Sequence, residues 1–210
     1  MALLARVYLY LKDWEKAEVW STQVIGSTEN YALMNDLDAV FLSNSLVATF
    51  PDQDFRANSW INTFSSGNNT YHYPYKYKIK YASSGDITEY SMVLRLAEQY
   101  LIRSEARTHQ GNLPEAIADL DRIRERANLS PLSDVAPEID QKALLDSLDT
   151  ERRRELFTEW GHRWLDLKRT GKVSDLLSST KPSWQETDTL YPIPEEEIGK
   201  NPNLTQNNGY

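Results

Sequence analysis

No cysteine occurs among the 210 residues. That absence removes disulfides, thiolate nucleophiles and Cys-ligated zinc or iron–sulfur centres. Long apolar runs are missing too, and none approaches the ~20 residues that a membrane-spanning helix needs. Positive charge is in deficit: 23 Lys+Arg stand against 31 Asp+Glu, for a net charge of −8. The basic face that a nucleic-acid backbone demands is therefore lacking, and nucleic acid is excluded as a partner. No G-x-G-x-x-G or G-x-S-x-G is present, and Gly171-Lys172-Val173 lacks the Ser/Thr that holds magnesium in a phosphate loop. Nucleotide-binding and serine-hydrolase readings fall away. The opening Met1-Ala-Leu-Leu-Ala-Arg6 has neither a basic leader nor a small-residue cleavage site. It reads as a chain entered in mid-helix rather than as a signal peptide.

What is there belongs to a folded protein. Hydrophobic residues make up 40% and charged residues 26%, which is ordinary globular usage and suits a single domain over residues 1–210. Rings are abundant, with 12 Tyr, 6 Trp and 5 Phe. Tyr and Trp pair an apolar face with a polar tip, which suits a protein partner or a sugar as well as a core.

Four segments follow from the patterning. Residues 1–30 read as a helical hairpin, with Leu4, Tyr8 and Leu11 on one face, a break at Lys12-Asp13, and Trp14 and Ala17 resuming. Residues 31–90 are irregular, punctuated by Pro51, Gly67, Pro74 and Gly85. Within them Tyr71 to Tyr81 alternates strictly, Tyr or Ile at odd positions and His, Pro or Lys at even ones, which predicts an edge strand. Residues 91–170 carry a second hairpin, turning at Gly111-Asn112, and then one long helix from about Asp140 to Arg169 with Leu145, Leu148, Leu156, Trp160, Trp164 and Leu167 as its stripe. Residues 171–210 read as an extended tail. The two hairpins align: Lys12-Asp-Trp-Glu-Lys-Ala17 lies over Gly111-Asn-Leu-Pro-Glu-Ala116. A small Ala just after each turn lets antiparallel helices approach closely, in the tetratricopeptide manner. The fold class is therefore mainly α, with tetratricopeptide-like hairpins and an irregular, partly extended binding face.

Little in the sequence points to catalysis. Glu159-Trp-Gly-His162 is an E-x-x-H on a helix with Asp166 one turn on, but carboxylate di-metal sites need a second such motif. Ion pairing is the better account, so no metal and no cofactor is assigned. A glycosidase needs two carboxylates across a cleft, and nothing singles out a pair. No catalytic residue is assigned and the chain is read as a non-enzyme. The candidate ligand-binding residues are Trp60, Tyr71, Tyr73, Asn68 and Asn69. Their rings can stack on sugar faces while neighbouring amides meet vicinal hydroxyls. The alternative is that these rings cover the helical core.

Several segments together resemble the SusD/RagB family of Bacteroidetes nutrient-binding outer-membrane lipoproteins: Ala2 to Tyr10, Asp54 to Trp60, Leu94 to Ala106, Leu120 to Ala127, Glu151 to Arg169, and Leu190-Tyr-Pro-Ile-Pro194 with the ending Gln206 to Tyr210. They come in family order and correspond to the C-terminal half of family proteins. The resemblance implies a helical scaffold with a glycan-holding face and no catalysis. It also implies a place at the cell outer membrane, surface-exposed, with an oligosaccharide as ligand and a SusC-like TonB-dependent transporter as partner. Glu155, His162, Arg163 and Asp166 are hallmark residues that it implies to be structural. The other reading is a helical scaffold or transporter-partner module that binds no sugar.

Overall fold

A computed structural model describes residues 2–25, 41–78, 89 and 92–210. Among them are eleven α-helices and one two-stranded sheet, in two compact units. The first unit, Met1–Trp160, holds α1 (Ala2–Tyr10), α2 (Trp14–Ile25), α3 (Asn44–Val47), α4 (Phe55–Trp60), β1 (Ile61–Ser66), β2 (Asn69–Pro74), α5 (Leu96–His109), α6 (Leu113–Arg126), α7 (Leu132–Val135) and α8 (Gln141–Glu155). The second, Gly161–Tyr210, holds α9 (His162–Thr170), α10 (Val173–Thr180), a 3₁₀ turn at Glu186–Thr189 and α11 (Glu195–Lys200). No helix of the described residues is long and apolar enough to cross a membrane.

The two hairpin turns have the same construction. Lys12 and Gly111 both take left-handed backbone, φ 57° and 80°. Lys12 N–H donates to the Leu9 carbonyl (3.1 Å) and Asp13 N–H to that of Tyr8 (3.0 Å). Gly111 N–H donates to Thr108 (3.1 Å) and Asn112 N–H to Arg107 (2.9 Å). Each pair satisfies carbonyls left open at the end of a helix. Five residues beyond each left-handed residue sits a fully buried alanine, Ala17 or Ala116.

Helix α5 is the centre of the first unit and packs against α1, α2, α6 and α8. Its Leu101 enters a core with Ala116, Leu120, Ile123, Leu144 and Leu148, while the adjacent Ile102 enters another with Ala5, Leu9 and Ala17. A third core gathers Leu42, Leu46 and Phe157, with Phe50, Trp60 and Ile61 against it.

The structure departs from the sequence reading in four places. The buried face of α1 is Ala5 and Leu9, whereas Leu4 and Leu11 are 38% and 68% exposed. Apolar residues occupy both phases of this helix, and the phase containing the small Ala permits the closer approach to α5. The helix expected over 140–169 is two helices: α8 ends at Glu155, and Thr158, Trp160 and Gly161 take left-handed backbone (φ 58°, 45° and 69°) before α9. Groups from elsewhere in the chain claim the carbonyls at the end of α8, and that outweighs local helix propensity. The strand expected over 71–81 stops at Pro74, because its partner Ile61 is the first residue of β1 and the residue before that, Trp60, which accepts from Tyr75 N–H (2.7 Å), ends helix α4; residues 79–81 lie outside those described. Residues 171–210 are not a purely extended tail. Pro194 leads into α11, whose first turn is Glu195, Glu196 and Glu197, and these favour the positive end of the helix dipole.

Candidate ligand-binding site

Strands β1 and β2 form an antiparallel hairpin in which Ser66 pairs with Asn69, leaving Gly67 and Asn68 as a two-residue turn. Gly67 supplies the positive φ (59°) that such a turn needs. Directly opposed residues share a face. Phe64 faces Tyr71 and Asn62 faces Tyr73, so Asn62, Phe64, Asn69, Tyr71 and Tyr73 stand on one side. Ile61, which packs against the third core, belongs to the other side. A fourth ring joins from outside the hairpin. Leu42 N–H donates to the His72 carbonyl (2.7 Å), running residues 41–42 along the free edge of β2. Leu42 is buried, and Phe41 lies against Tyr71 with ring centroids 4.9 Å apart. Phe41, Phe64 and Tyr71 are 53%, 55% and 37% exposed. Large apolar rings grouped on an exposed face are the usual mark of an interaction surface.

The hairpin base is mounted on a buried ionic cluster. Lys76, two residues past β2, directs its ammonium inward, donating to the carbonyls of Glu155 (2.8 Å) and Phe157 (3.0 Å) and to Glu159 Oε1 (2.6 Å). The same nitrogen lies 4.1 Å from the Phe157 ring centroid and 4.8 Å from that of Trp60. Burial pushes the Lys76 amine down to about 8, against the opposing pull of Glu159. Glu155 is fully buried and bonded to Arg56, Arg95 and Arg126. Burial alone would raise its carboxyl, but Arg95, Arg126 and Arg56 overcome that and hold it at about 2. Asp54 caps α4 by accepting from Arg56 N–H (2.9 Å) and binds the Arg56 side chain (2.8 Å).

The sequence-derived candidates fall into two places. Tyr71, Tyr73 and Asn69 share the ring face, and Asn68 is at the turn beside it. Trp60 is elsewhere, at the end of α4, with its ring against the third core and facing Lys76, Arg95 (5.6 Å) and Arg126 (5.7 Å). Sequence reasoning missed Phe41 and Phe64. Gly67-Asn68 between alternating segments is itself a hairpin signal, and the register it sets puts Phe64 opposite Tyr71. Phe41 had no comparable signal, because its contact is made across 30 residues of chain. Of the E-x-x-H motif, Glu159 is committed to Lys76 and to Arg95 (2.9 Å), and Asp166 is buried with Arg169 (2.7 Å).

A model of the SusD family matches residues 49–181. The SusD-like protein P38 of Formosa agariphila is 32% identical over 139 residues, covering 64% of this chain and 27% of that protein. The starch-binding protein SusD of Bacteroides thetaiotaomicron is 33% identical over 130 residues, covering 56% and 21%. The matched segments thus span about a quarter of these relatives' own length. Among solved structures, a SusD-like protein from Bacteroides fragilis superposes with a TM-score of 0.76 at 17% identity, over all of this chain and 64% of that one. Surface glycan-binding protein A from Bacteroides uniformis gives 0.68 at 20% identity, over 97% and 59%.

Proposed function

The chain belongs to the SusD family, and from that membership we propose that it binds glycan at the ring face of the β1–β2 hairpin, as part of a cell-surface polysaccharide uptake system. In this reading the protein captures an oligosaccharide at the outer membrane and hands it to a SusC-like TonB-dependent transporter, with no catalysis of its own. Two similar proteins bear names that state their ligands, starch for one and glycan for the other. The observation that carries the reading is the grouping of Phe41, Phe64 and Tyr71 on an exposed face that also bears Asn62 and Asn69. The rings offer flat apolar surfaces to sugar C–H faces, and the amides donate to and accept from hydroxyls.

Titration with candidate oligosaccharides tests this. Tyr71→Ala is expected to weaken binding by roughly 1–2 kcal/mol, as loss of an aromatic contact does, and to leave the melting temperature nearly unchanged. Trp60→Ala, away from the ring face, is expected to lower stability instead, because its ring packs against the third core and Phe157. Unchanged affinity in Tyr71→Ala would move the site elsewhere. A chain that binds no glycan at all would instead be a helical scaffold or transporter-partner module.

A further inference from the structure

We infer that the ring face takes a neutral glycan and discriminates against uronate- and sulfate-bearing ones; this rests on the glycan-binding reading and adds the ligand's charge class to it. Residues 57–75 carry no Asp, Glu, Lys or Arg, although at the chain-wide 26% nineteen residues would carry about five. Residues 39–51 form a second uncharged run, of thirteen. These are the two longest such runs in the chain, and they meet at the ring face. The first supplies the whole hairpin, the second supplies Phe41, and the Leu42–His72 hydrogen bond joins them.

Among the described residues the face itself bears no Lys or Arg, so a carboxylate or sulfate brought onto it would lose water and gain no cation from it, which is unfavourable. Recognition of such groups ordinarily uses Arg or Lys in charge-assisted hydrogen bonds. The cations at the hairpin base are otherwise engaged: Lys76, Arg95 and Arg126 all bond to Glu155 or Glu159. Lys78 is exposed but lies past the strand, with its ammonium 5.1 Å from the Tyr75 ring centroid. The net charge of −8 also repels a polyanion at long range. Hydroxyl-rich neutral sugars meet none of these costs.

The test is isothermal titration of the full chain at low and at high salt. The neutral ligands are maltoheptaose, cellohexaose, mannohexaose and xylohexaose; the anionic ones are hexagalacturonate and a sulfated galactan hexasaccharide. At least one neutral ligand is expected to bind with an affinity that salt does not change, since no ion pair is screened. Phe41→Ala and Tyr71→Ala are each expected to weaken it roughly tenfold, with melting temperatures showing that both variants fold. Asn69→Arg, at the exposed tip, is expected to raise the affinity of the anionic ligands and to make it salt-dependent. Anionic ligands binding wild type as tightly as neutral ones would overturn the charge-class inference while leaving glycan binding intact. Neutral binding that survives both ring substitutions would overturn it by placing the site elsewhere. Failure of both ligand classes to bind would overturn the glycan reading itself, and the inference with it.

Discussion

Three guanidinium groups, from Arg56, Arg95 and Arg126, converge on the fully buried Glu155 carboxylate. Removing that charge leaves buried cations without their counterion, so Glu155→Gln is expected to cost about 3–5 kcal/mol in denaturant melts. The pH dependence follows from its depressed value of about 2. Glu155 stabilises the fold fully above ~4.5, and that contribution is lost as pH falls from there through about 2. Acid melts of Glu155→Gln should lack this component. Lys76 has the opposite sign. Its folded value is about 8, below the ordinary 10.5, so the charged amine is disfavoured in the folded chain. Stability therefore rises as pH increases from about 8 toward 10.5, by roughly 3 kcal/mol at 1.4 kcal/mol per unit. Comparing wild type with Lys76→Met across that range isolates the effect; a flat difference would show the amine is hydrated. None of this cluster was legible from sequence as a unit. Glu155, Arg95 and Lys76 are far apart along the chain, and spacing carries no information about through-space pairing.

At the scale of elements, the helical hairpins were the most legible part. A turn followed by a small Ala is a local signal, and both copies form helix–turn–helix as read, with Ala17 and Ala116 fully buried, although α1 buries Ala5 and Leu9 rather than Leu4 and Leu11. The left-handed residue at each turn is testable. A Cβ on Gly111 would meet nothing within 4 Å, so Gly111→Ala carries only backbone strain, about 1 kcal/mol. Lys12 already bears that strain at φ 57°. Lys12→Gly is expected to raise stability by about 0.5–1 kcal/mol, part of the gain being offset by the freer unfolded chain. Thermal melts of the two variants should move in opposite directions. The hairpin was less legible. Its alternation was visible, but Ser65 to Asn69 reads as a loop unless Gly-Asn is taken as the whole turn. The break after α8 was invisible, since the stripe of apolar residues continues through it and only distant Lys76 and Arg95 reveal its cause.

On the scale of the whole first unit, α5 lends adjacent residues to separate cores, Leu101 to one and Ile102 to the other. The two cores are thereby coupled through one rigid element. Leu101→Ala and Ile102→Ala are each expected to cost about 2–5 kcal/mol. Either should shift far-UV circular dichroism and the fluorescence of Trp14 and Trp20 together; separated transitions would show that the cores melt independently. Trp14 itself is half-buried, stacked on His109 with centroids 3.9 Å apart, so its loss should cost less than that of a fully enclosed ring. The matched turns carry a different lesson, about information. Between Lys12–Ala17 and Gly111–Ala116 only the final alanine is identical, yet the backbone bonds repeat pair for pair. The message that specifies this corner is short: tolerate a left-handed residue, then place something small five positions later. A code that brief leaves most of its letters free to drift. Such corners can therefore keep their geometry while their spelling is rewritten, and interchange of the two six-residue words between sites should leave both helices standing.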